Sequence, residues 1–264
     1  MPIVHLNGTD LYYRDAGDPT ANAVVLLHAF PLNSGMWQRQ ISALGAKHRV
    51  VALDYRGLGQ SKPSAEPSTL PRLAEDVRAL LAHLRIERAA VAGLSMGGYL
   101  SFELYRQAPG LFRGLVLCDT KATADTEEGK AMREKFAQTA LEKGLEWVAD
   151  EMIPKLLRPD PDPAVAREVR EIIRRGTPAG VAAAQRGMAL RPDSTPTLAR
   201  IACPTLVIVG DQDTLTPVKD SQVMAKAIPG ARLVKVKGAG HLANLEHVEA
   251  FDRALVEFVE GLAA

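Results

Sequence analysis

The sequence predicts an α/β protein in which a mostly parallel sheet of eight strands is flanked by helices. Short apolar runs of strand length alternate along the chain with longer segments whose apolar residues recur every three or four positions. Most of the short runs are hydrophobic almost throughout, which is typical of strands covered by helices on both faces. With 264 residues, the chain is long enough to form one such core and to carry an insertion.

The chain opens with a predicted hairpin, and six further strand-like runs follow it. In the hairpin, Asn7 and Gly8 separate two short segments, and Asn-Gly tolerates the positive φ of a tight turn. The six runs cover residues 23 to 28, 49 to 54, 89 to 94, 114 to 119, 204 to 210 and 232 to 238. Helical patterns cover residues 34 to 46, 70 to 84, 96 to 107 and 217 to 227, and a last one contains Leu245, Val248, Phe251, Leu255, Phe258 and Leu262.

One interval interrupts the alternation of strands and helices. Residues 121 to 198 contain no convincing strand, and their apolar stripes predict consecutive helices; one stripe comprises Val165, Val169, Ile172 and Ile173. We therefore expect a core of residues 1 to 120 and 199 to 264, with residues 121 to 198 forming a helical cap inserted after the sixth strand. Insertions at strand ends are where α/β proteins usually build ligand sites, so we expect this cap to cover one.

Composition and charge narrow the range of partners. The 32 Lys and Arg residues nearly balance the 31 Asp and Glu residues, and the net charge of +1 predicts no basic surface for nucleic acid. The N-terminus lacks the pattern of a signal peptide, and no apolar run approaches the roughly 20 residues of a membrane span. We therefore expect a soluble, cytoplasmic protein without a nucleic-acid or membrane partner. Cys118 and Cys203 are expected to be buried free thiols.

The stretch VAGLSMGGYL, residues 91 to 100, places Ser95 at a predicted turn from strand to helix. A β-carbon at Gly93 or Gly97 would collide with the facing strand or helix in so tight a turn. The pattern G-x-S-x-G between a strand and a helix is typical of a nucleophile elbow, which holds a serine hydroxyl above the sheet edge. The N-terminus of the following helix would stabilise negative charge that develops there.

A serine hydroxyl needs a general base within hydrogen-bonding distance, and the chain has six histidines. His241 is the predicted base, because it lies in a loop of small residues just after the last predicted strand. His28 also ends a strand, but it precedes the serine and is followed directly by Ala29, Phe30 and Pro31. Surface or packing roles are expected for the other histidines, His5, His48, His83 and His247.

A carboxylate that follows another strand, between the serine and the histidine in the chain, should hold the base in the required tautomer. Asp213 is favoured, because it lies further into its loop than Asp211, which is better placed to cap the turn. Asp119, which follows an earlier strand, remains an alternative acid. The N–H groups of Met96 and Phe30 are the predicted donors to the oxyanion that forms when the serine attacks a carbonyl.

Five motifs together resemble the α/β-hydrolase family over nearly the whole chain. They are HAFPLNSGMW, DYRGLGQSKP, GLSMGG, GDQDTLTP and GAGHLANLEHVEAF. Within this family, the sequence looks most like cap-bearing esterases and lactonases similar to 3-oxoadipate enol-lactonase. The resemblance implies an α/β-hydrolase fold, a catalytic triad of Ser95, Asp213 and His241, and oxyanion donors at Phe30 and Met96.

Three further points refine this resemblance. Ala29 stands where the family usually has glycine, and alanine would be strained there if the position required a positive φ. Serine at position 95 argues against the haloalkane dehalogenase and epoxide hydrolase relatives, whose nucleophile is an aspartate. The sequence contains no zinc-binding motif, and we expect neither a metal nor another cofactor.

The expected activity is hydrolysis of a small to medium ester or lactone through an acyl-enzyme, with the small-molecule substrate as the partner. Side chains that could line an apolar acyl pocket, or simply pack in the core, are Trp37, Trp147, Met152, Leu156 and Met188. The alternatives are a cofactor-free perhydrolase, a carbon–carbon bond hydrolase and a non-catalytic ligand receptor that keeps the triad. The sequence is compatible with a monomer or a homodimer.

Overall fold

The computed structural model describes residues 2 to 63 and 67 to 262. Its strands are β1 (Ile3–Leu6), β2 (Thr9–Ala16), β3 (Ala23–Leu27), β4 (Arg49–Leu53), β5 (Ala89–Leu94), β6 (Phe112–Cys118), β7 (Thr205–Gly210) and β8 (Arg232–Val236). The helices are α1 (Gln38–Leu44), α2 (Leu70–His83), α3 (Met96–Gln107), α4 (Glu127–Leu156), α5 (Pro163–Arg174), α6 (Pro178–Ala189), α7 (Thr195–Leu198), α8 (Val218–Ala227), α9 (Ala243–Glu246) and α10 (Val248–Glu260). The predicted core ranges also include residues 1, 64 to 66, 263 and 264, which lie outside the described residues.

The strands form one sheet in the order β1, β2, β4, β3, β5, β6, β7, β8. The pairs of β2 with β1 and with β4 are antiparallel, and the pairs among the remaining strands are parallel. Every residue of β3, β5 and β7 is buried, as expected for strands covered on both faces. The predicted mostly parallel eight-stranded sheet is thus confirmed. Parallel pairing brings the carboxyl ends of β5, β6, β7 and β8 to the same edge, where such sheets place their sites.

Local sequence signals account for the first turns of the chain. Asn7 and Gly8 have φ values of 48° and 74° in the turn between β1 and β2, as the Asn-Gly pair predicts. The segment predicted as one helix over residues 34 to 46 is instead a 3-10 turn, Ser34–Trp37, followed by α1. The side chain of Asn33 accepts a hydrogen bond from the N–H of Gly35 and so caps this 3-10 turn.

Two other predictions need correction. The last helix is divided into α9 and α10 at His247, whose φ of −134° and ψ of 65° are not helical. Cys118 is a buried free thiol, but Cys203 is a free thiol that is only partly buried, because it precedes β7 rather than lying within it. The prediction that both thiols are buried is therefore wrong for Cys203.

Helices α4 to α7 lie between β6 and β7, in the interval where consecutive helices are predicted. Helix α4 is interrupted at Gly144, whose φ of 76° and ψ of −171° are not helical. Helix α6 packs against the loop after β4, where the N–H of Thr177 donates to the carbonyl of Gly57 at 3.0 Å. The backbones of Gly57 and Gly180 approach so closely that a β-carbon on either would overlap the other. In the described part of the chain, no helix is both long and apolar enough to cross a bilayer.

Candidate active site

Ser95 forms the turn between β5 and α3 with a strained backbone. Its φ of 56° and ψ of −113° lie outside the regions that residues other than glycine normally adopt. The N–H of Ser95 donates to the carbonyl of Cys118 at 2.9 Å, and the Thr120 hydroxyl donates to the carbonyl of Ser95 at 2.8 Å. These contacts with β6 and the loop after it hold the strained residue in place.

The glycines on either side of Ser95 allow two segments to approach the turn closely. A β-carbon on Gly93 would overlap the carbonyl oxygen of Gly97, and one on Gly97 would overlap the carbonyl oxygen of Leu27 in β3. As the sequence predicts, a β-carbon does not fit at either position. The first N–H of α3 belongs to Met96, at the positive end of the helix dipole and directly after Ser95.

Asp213 and His241 form a buried hydrogen-bonded pair at the same sheet edge. Nδ1 of His241 lies 2.8 Å from Oδ2 of Asp213, and the exposed fractions of the two side chains are 1% and 0%. The Thr216 hydroxyl donates to the same Oδ2 at 2.6 Å. The backbone N–H groups of Leu215 and Thr216 donate to Oδ1 at 2.8 and 3.0 Å. Asp213 thus orients the imidazole through Nδ1 while its own position is fixed by three further hydrogen bonds.

Asp213 is stabilised as an anion. Burial raises the pKa of its carboxyl, but the charge and hydrogen bond of His241 and the hydrogen bonds of Thr216 outweigh burial, so that the pKa lies below its ordinary value. Nε2 of His241 is buried and has no hydrogen-bond partner among the described residues. Ser95 and His241 both line one cavity of about 280 Å³. The nitrogen that a general base would use is therefore on the ring edge opposite Asp213.

His28 holds the peptide between Ala29 and Phe30 in one orientation. Its Nε2 accepts a hydrogen bond from the N–H of Tyr55 at 3.1 Å, so the proton of the neutral ring is on Nδ1. Nδ1 donates to the carbonyl oxygen of Ala29 at 2.9 Å. Because the N–H of a trans peptide points away from its C=O, the N–H of Phe30 is directed to the opposite side. Phe30 itself lines the cavity that contains Ser95.

Burial keeps His28 neutral, so that one ring nitrogen can accept the hydrogen bond from Tyr55 while the other donates to Ala29. It lowers the pKa of the ring from 6.5 to about 3, and the hydrogen bond to the backbone of Ala29 only partly opposes that effect. The ring also stacks on Tyr55, with 3.7 Å between the ring centroids. Ala29 does not have a positive φ in the described chain, so alanine in place of the usual glycine carries no left-handed strain.

The sequence identified part of the cavity lining. Met152 and Met188 line the cavity, as does Phe30. Trp37 lies outside this lining in the described chain, because the 3-10 turn directs it into the core, where it is fully buried against Phe251 with 6.2 Å between ring centroids. The predicted pocket role of Trp37 is thus replaced by packing.

Two more predicted lining residues lie outside the cavity lining in the described structure. Trp147 packs against Phe136, with 4.9 Å between ring centroids, and Phe136 rather than Trp147 faces the cavity. Leu156 is fully buried, and its carbonyl accepts a hydrogen bond from the N–H of Leu242 at 3.0 Å. Neither side chain therefore forms part of the cavity lining in the described structure.

Charged side chains also line the cavity, which the sequence did not indicate. Lys121, Arg133 and Lys155 contribute positive charge, and Asp125 contributes negative charge. Arg133 is bound to Asp125, which also binds Arg191. Burial opposes ionisation of Asp125, but hydrogen bonds and charge from Arg191 and Arg133 lower its pKa to about 2. Lys155 forms an ion pair with Glu151 at 3.4 Å, so it is Lys121 that leaves the lining with a net positive charge.

The two alternative acids have other partners. Oδ1 of Asp211 accepts a hydrogen bond at 2.7 Å from the N–H of Gly238, which lies in the loop after β8 and not in the turn that contains Asp211. Oδ1 of Asp119 accepts one from the N–H of Gly210 at 2.7 Å. No group of three or more His, Cys, Asp or Glu side chains in residues 2 to 63 and 67 to 262 is arranged to hold a metal ion.

Supporting polar groups were missed by reasoning from the sequence. Thr216 had a local signal, because a hydroxyl residue shortly after an aspartate in a loop often hydrogen-bonds to it. No local sequence signal indicated the role of Glu246. Its Oε2 accepts a hydrogen bond from the N–H of Gly240, next to His241, at 2.7 Å, and its Oε1 accepts one from the N–H of Arg158 at 2.9 Å. Glu246 thereby ties the histidine loop to the residues that follow α4.

Comparison with known proteins agrees with the observed fold. The family model described as "alpha/beta hydrolase fold" matches residues 22 to 248. The chain is 31% identical over 264 residues to 3-oxoadipate enol-lactonase 2 of Acinetobacter baylyi, an alignment that covers 97% of each chain. These relatives support assignment as a hydrolase.

Two solved structures are similar over almost their whole length. A thermophilic esterase from Thermogutta terrifontis has a TM-score of 0.94 and 36% identity, covering 99% of this chain and 97% of that one. The enol-lactonase from Burkholderia xenovorans LB400 has a TM-score of 0.91 and 31% identity, covering 98% of this chain and 100% of that one. On its motifs, its sheet topology and these matches, the chain belongs to the alpha/beta hydrolase fold family.

Proposed function

We propose that this protein is a serine hydrolase that cleaves small carboxylic esters or lactones through an acyl-enzyme. The observation that carries the proposal is the 2.8 Å contact between Asp213 and Nδ1 of His241, in a cavity that His241 shares with Ser95. A carboxylate that holds Nδ1 of an imidazole leaves Nε2 as a base for a serine hydroxyl. The esterase and enol-lactonase names of the relatives agree with this chemistry.

In the first half of the reaction, Oγ of Ser95 attacks the acyl carbon and forms a new C–O bond. Nε2 of His241 takes the hydroxyl proton, and the Asp213 carboxylate stabilises the resulting imidazolium. The electron pair of the carbonyl moves to its oxygen, which accepts hydrogen bonds from the N–H groups of Phe30 and Met96. Each such donor contributes about 3 kcal/mol to stabilisation of the transition state.

The tetrahedral intermediate then collapses and the C–O bond to the alcohol breaks. His241 returns its proton to the alcohol oxygen, and the acyl group remains on Ser95. A water molecule then attacks the acyl-enzyme: His241 takes a proton from the water, and the water oxygen bonds to the acyl carbon. The bond between the acyl carbon and Oγ of Ser95 then breaks, and His241 returns the proton to Oγ. In a lactone the leaving alcohol is part of the same molecule, so one hydroxy acid is the product.

The cavity favours small substrates that carry a negative charge. Its volume of about 280 Å³ is close to the lower end of typical ligand pockets, roughly 300 Å³. Lys155 is paired with Glu151 at 3.4 Å, but Lys121 adds positive charge that the lining does not balance, so a carboxylate on the acyl or alcohol part would be attracted. The similar esterase from Thermogutta terrifontis was solved with malate, a dicarboxylate, bound. These observations favour monoesters of dicarboxylic acids and carboxylated lactones within the proposed class.

Hydrolysis of p-nitrophenyl butyrate, of γ-lactones and of acyl homoserine lactones tests the proposal. The wild type should turn over at least one of these substrates, and Ser95→Ala should reduce kcat by about 10⁴-fold or more while the protein remains folded. Ser101→Ala is a matched control, because Ser101 is a buried serine on α3 whose hydroxyl donates to the carbonyl of Gly97 and does not line the cavity in the described structure. Near-wild-type turnover by Ser95→Ala would refute the proposal.

A further inference from the structure

Glu246 joins the loop of His241 to residues 156 to 158, which we call the α4 end. Its Oε2 accepts a hydrogen bond from the N–H of Gly240 at 2.7 Å, and its Oε1 accepts one from the N–H of Arg158 at 2.9 Å. The side chain of Glu246 is only 3% exposed. A buried N–H that lost its acceptor would destabilise this contact, so the carboxylate keeps both donors satisfied. The proposed mechanism gives this buried carboxyl no task.

A second hydrogen bond attaches the same loop on the other side of His241. The N–H of Leu242 donates to the carbonyl of Leu156 at 3.0 Å. The two backbones are also in close contact, because a β-carbon on Gly240 would overlap the nitrogen of Arg158. Both chain neighbours of the histidine are thus held by the α4 end, one through Glu246 and one directly.

The helix that leads into the α4 end also lines the cavity. Met152 and Lys155 lie on α4 and line the cavity that contains Ser95 and His241. The hydrogen bond with Asp213 fixes Nδ1 of the imidazole, but the position of Nε2 also depends on the backbone of the histidine loop. A displacement of about 1 Å in a catalytic group lowers the rate by about 100-fold. The attachment of this loop to the α4 end therefore bears on the chemistry as well as on stability.

We propose that Glu246 is a positioning residue whose carboxylate holds the histidine loop against the α4 end, so that docking of the inserted helices sets the position of His241. The inference rests on the proposed function, because the position of His241 affects the rate only if this residue is the base for Ser95. Glu246 touches no reacting atom and exchanges no proton with the substrate. It acts through the backbone of Gly240.

The partners of Glu246 are those of an ionised carboxylate, because each oxygen accepts from a different N–H group. Burial raises the pKa of this carboxyl, and the N–H groups of Arg158 and Gly240 oppose that effect, as does the charge of Arg158. The Arg158 side chain is 38% exposed, and its Nε lies 4.0 Å from Oε1. A half-exposed ion pair at this distance contributes little, so the backbone N–H of Arg158 is the main link to the α4 end.

Two variants of Glu246 test the bridge by kinetics. Glu246→Gln has nearly the same shape, but it replaces one acceptor oxygen with an NH₂ group that faces an N–H. Glu246→Asp keeps the charge and is one methylene shorter, so its carboxylate no longer spans the two N–H groups. Each variant should lower kcat by about 10- to 100-fold, with KM changed less than about twofold, on the ester or lactone that the wild type hydrolyses fastest. A folded variant of either kind with wild-type kcat overturns the positioning role.

Tyr105→Phe is the matched control for a purely structural effect. The Tyr105 hydroxyl accepts a hydrogen bond from the N–H of Ala202 at 2.9 Å and donates to the carbonyl of Arg200 at 3.2 Å. It thus joins α3 to the residues that follow the inserted helices, and Tyr105 does not line the cavity in the described structure. Tyr105→Phe should keep kcat within about twofold of the wild type, although it loses two buried hydrogen bonds. An equal fall in kcat for Tyr105→Phe and the variants of Glu246 would overturn the proposal.

Amide hydrogen exchange tests the attachment itself and requires no activity. In Glu246→Gln, peptides from residues 152 to 158 and from residues 237 to 245 should both exchange about fivefold faster or more than in the wild type and in Tyr105→Phe. Both segments should respond, because the lost hydrogen bond joins them. Faster exchange in only one of the two segments, or in neither, overturns the attachment.

The activity of Ser95→Ala separates this inference from the proposed function. An inactive Ser95→Ala together with wild-type kcat in a folded Glu246→Gln would refute the role of Glu246 and leave the mechanism intact. An active Ser95→Ala would refute the mechanism, and with it the positioning role, while faster exchange in Glu246→Gln would still support the attachment. The expected result is an inactive Ser95→Ala, a low kcat in both variants of Glu246 and faster exchange in both segments.

Discussion

Oδ2 of Asp213 lies 2.8 Å from Nδ1 of His241, although the two residues are 28 positions apart in the chain. They come from the loops after β7 and β8, which pair in parallel, so the sheet itself brings their loops to one edge. Thr216 reinforces the pair, because its hydroxyl lies 2.6 Å from Asp213 and 3.3 Å from His241. The proposed chemistry depends on this arrangement more than on any other contact.

Replacing the acid should remove most of the activity. Asp213→Asn keeps the size of the side chain but cannot stabilise an imidazolium, and it favours the wrong tautomer of His241. We expect kcat for p-nitrophenyl butyrate to fall by about 10⁴-fold, as in other serine hydrolases with this change. Asp211→Asn is the matched control, because Asp211 lies in the same loop as Asp213 but accepts its hydrogen bond from Gly238 in the loop after β8. Equal losses in the two variants would contradict the assignment of Asp213.

Acid should weaken the fold through His28. Burial lowers the pKa of His28 to about 3, so its contribution to stability is complete above the unfolded pKa of 6.5 and is lost as pH falls towards 3. Between pH 7 and pH 5, the free energy of unfolding should decrease by about 2 kcal/mol from this group alone. His28→Asn keeps a donor for Ala29 but does not titrate, so its loss of stability over this interval should be smaller. Urea unfolding of both proteins at the two pH values measures the difference, and parallel losses would count against a neutral His28.

The positive lining should select for charged esters. Lys121→Met should lower kcat/KM for mono-p-nitrophenyl succinate by about 5- to 30-fold, which corresponds to the loss of one charge-assisted contact of about 1 to 2 kcal/mol. The value for the neutral p-nitrophenyl butyrate should change less than about twofold. Lys226→Met on α8 serves as the control, because Lys226 is exposed and does not line the cavity in the described structure. An equal effect of Lys121→Met on both esters would argue against recognition of the carboxylate.

The contact between Gly57 and Gly180 should control how α6 packs against the loop after β4. A β-carbon at Gly180 would overlap the backbone of Gly57, so Gly180→Ala should lower the free energy of unfolding by about 1 to 3 kcal/mol. It should also raise KM, because Gln185 and Met188 on α6 line the cavity. Gly110→Ala is the control, since a β-carbon there would meet nothing within 4 Å. Thermal unfolding with parallel kinetics provides the comparison, and equal stability of the two variants would show that α6 adjusts freely.

The order and type of the main elements could be predicted from hydrophobic spacing. The strands β3, β5 and β7 are short and almost entirely apolar, whereas the segment at residues 34 to 46 mixes a 3-10 turn with α1. Asn33 causes that difference by capping the 3-10 turn with its side chain. Residue spacing alone does not distinguish a capped 3-10 turn from the first turn of a helix.

The candidate site was predictable where residue type and chain order carry the information. Ser95 lies in a turn whose glycines have a steric cause, and Asp213 and His241 follow strands that meet at one edge. The charged lining was not predictable, because which face of α4 or α6 meets the cavity depends on how the inserted helices dock. That docking is determined by contacts between distant backbones, as at Gly57 and Gly180.

Trp37 is another residue whose position could not be predicted from the sequence. An aromatic residue shortly after the predicted oxyanion loop looks like part of a pocket, yet it is fully buried against Phe251 of α10. Its partner is more than 200 positions away in the chain. Composition and local spacing contain no information about such a contact.

The most direct test of the account is the site at which a fluorophosphonate probe attaches, because such probes bond to a serine that a neighbouring base activates. Mass spectrometry of the wild type after labelling should show one adduct, on the peptide that contains Ser95, and Ser95→Ala should show none. An adduct on another residue, or equal labelling of Ser95→Ala, would contradict the assignment of Ser95 as the nucleophile.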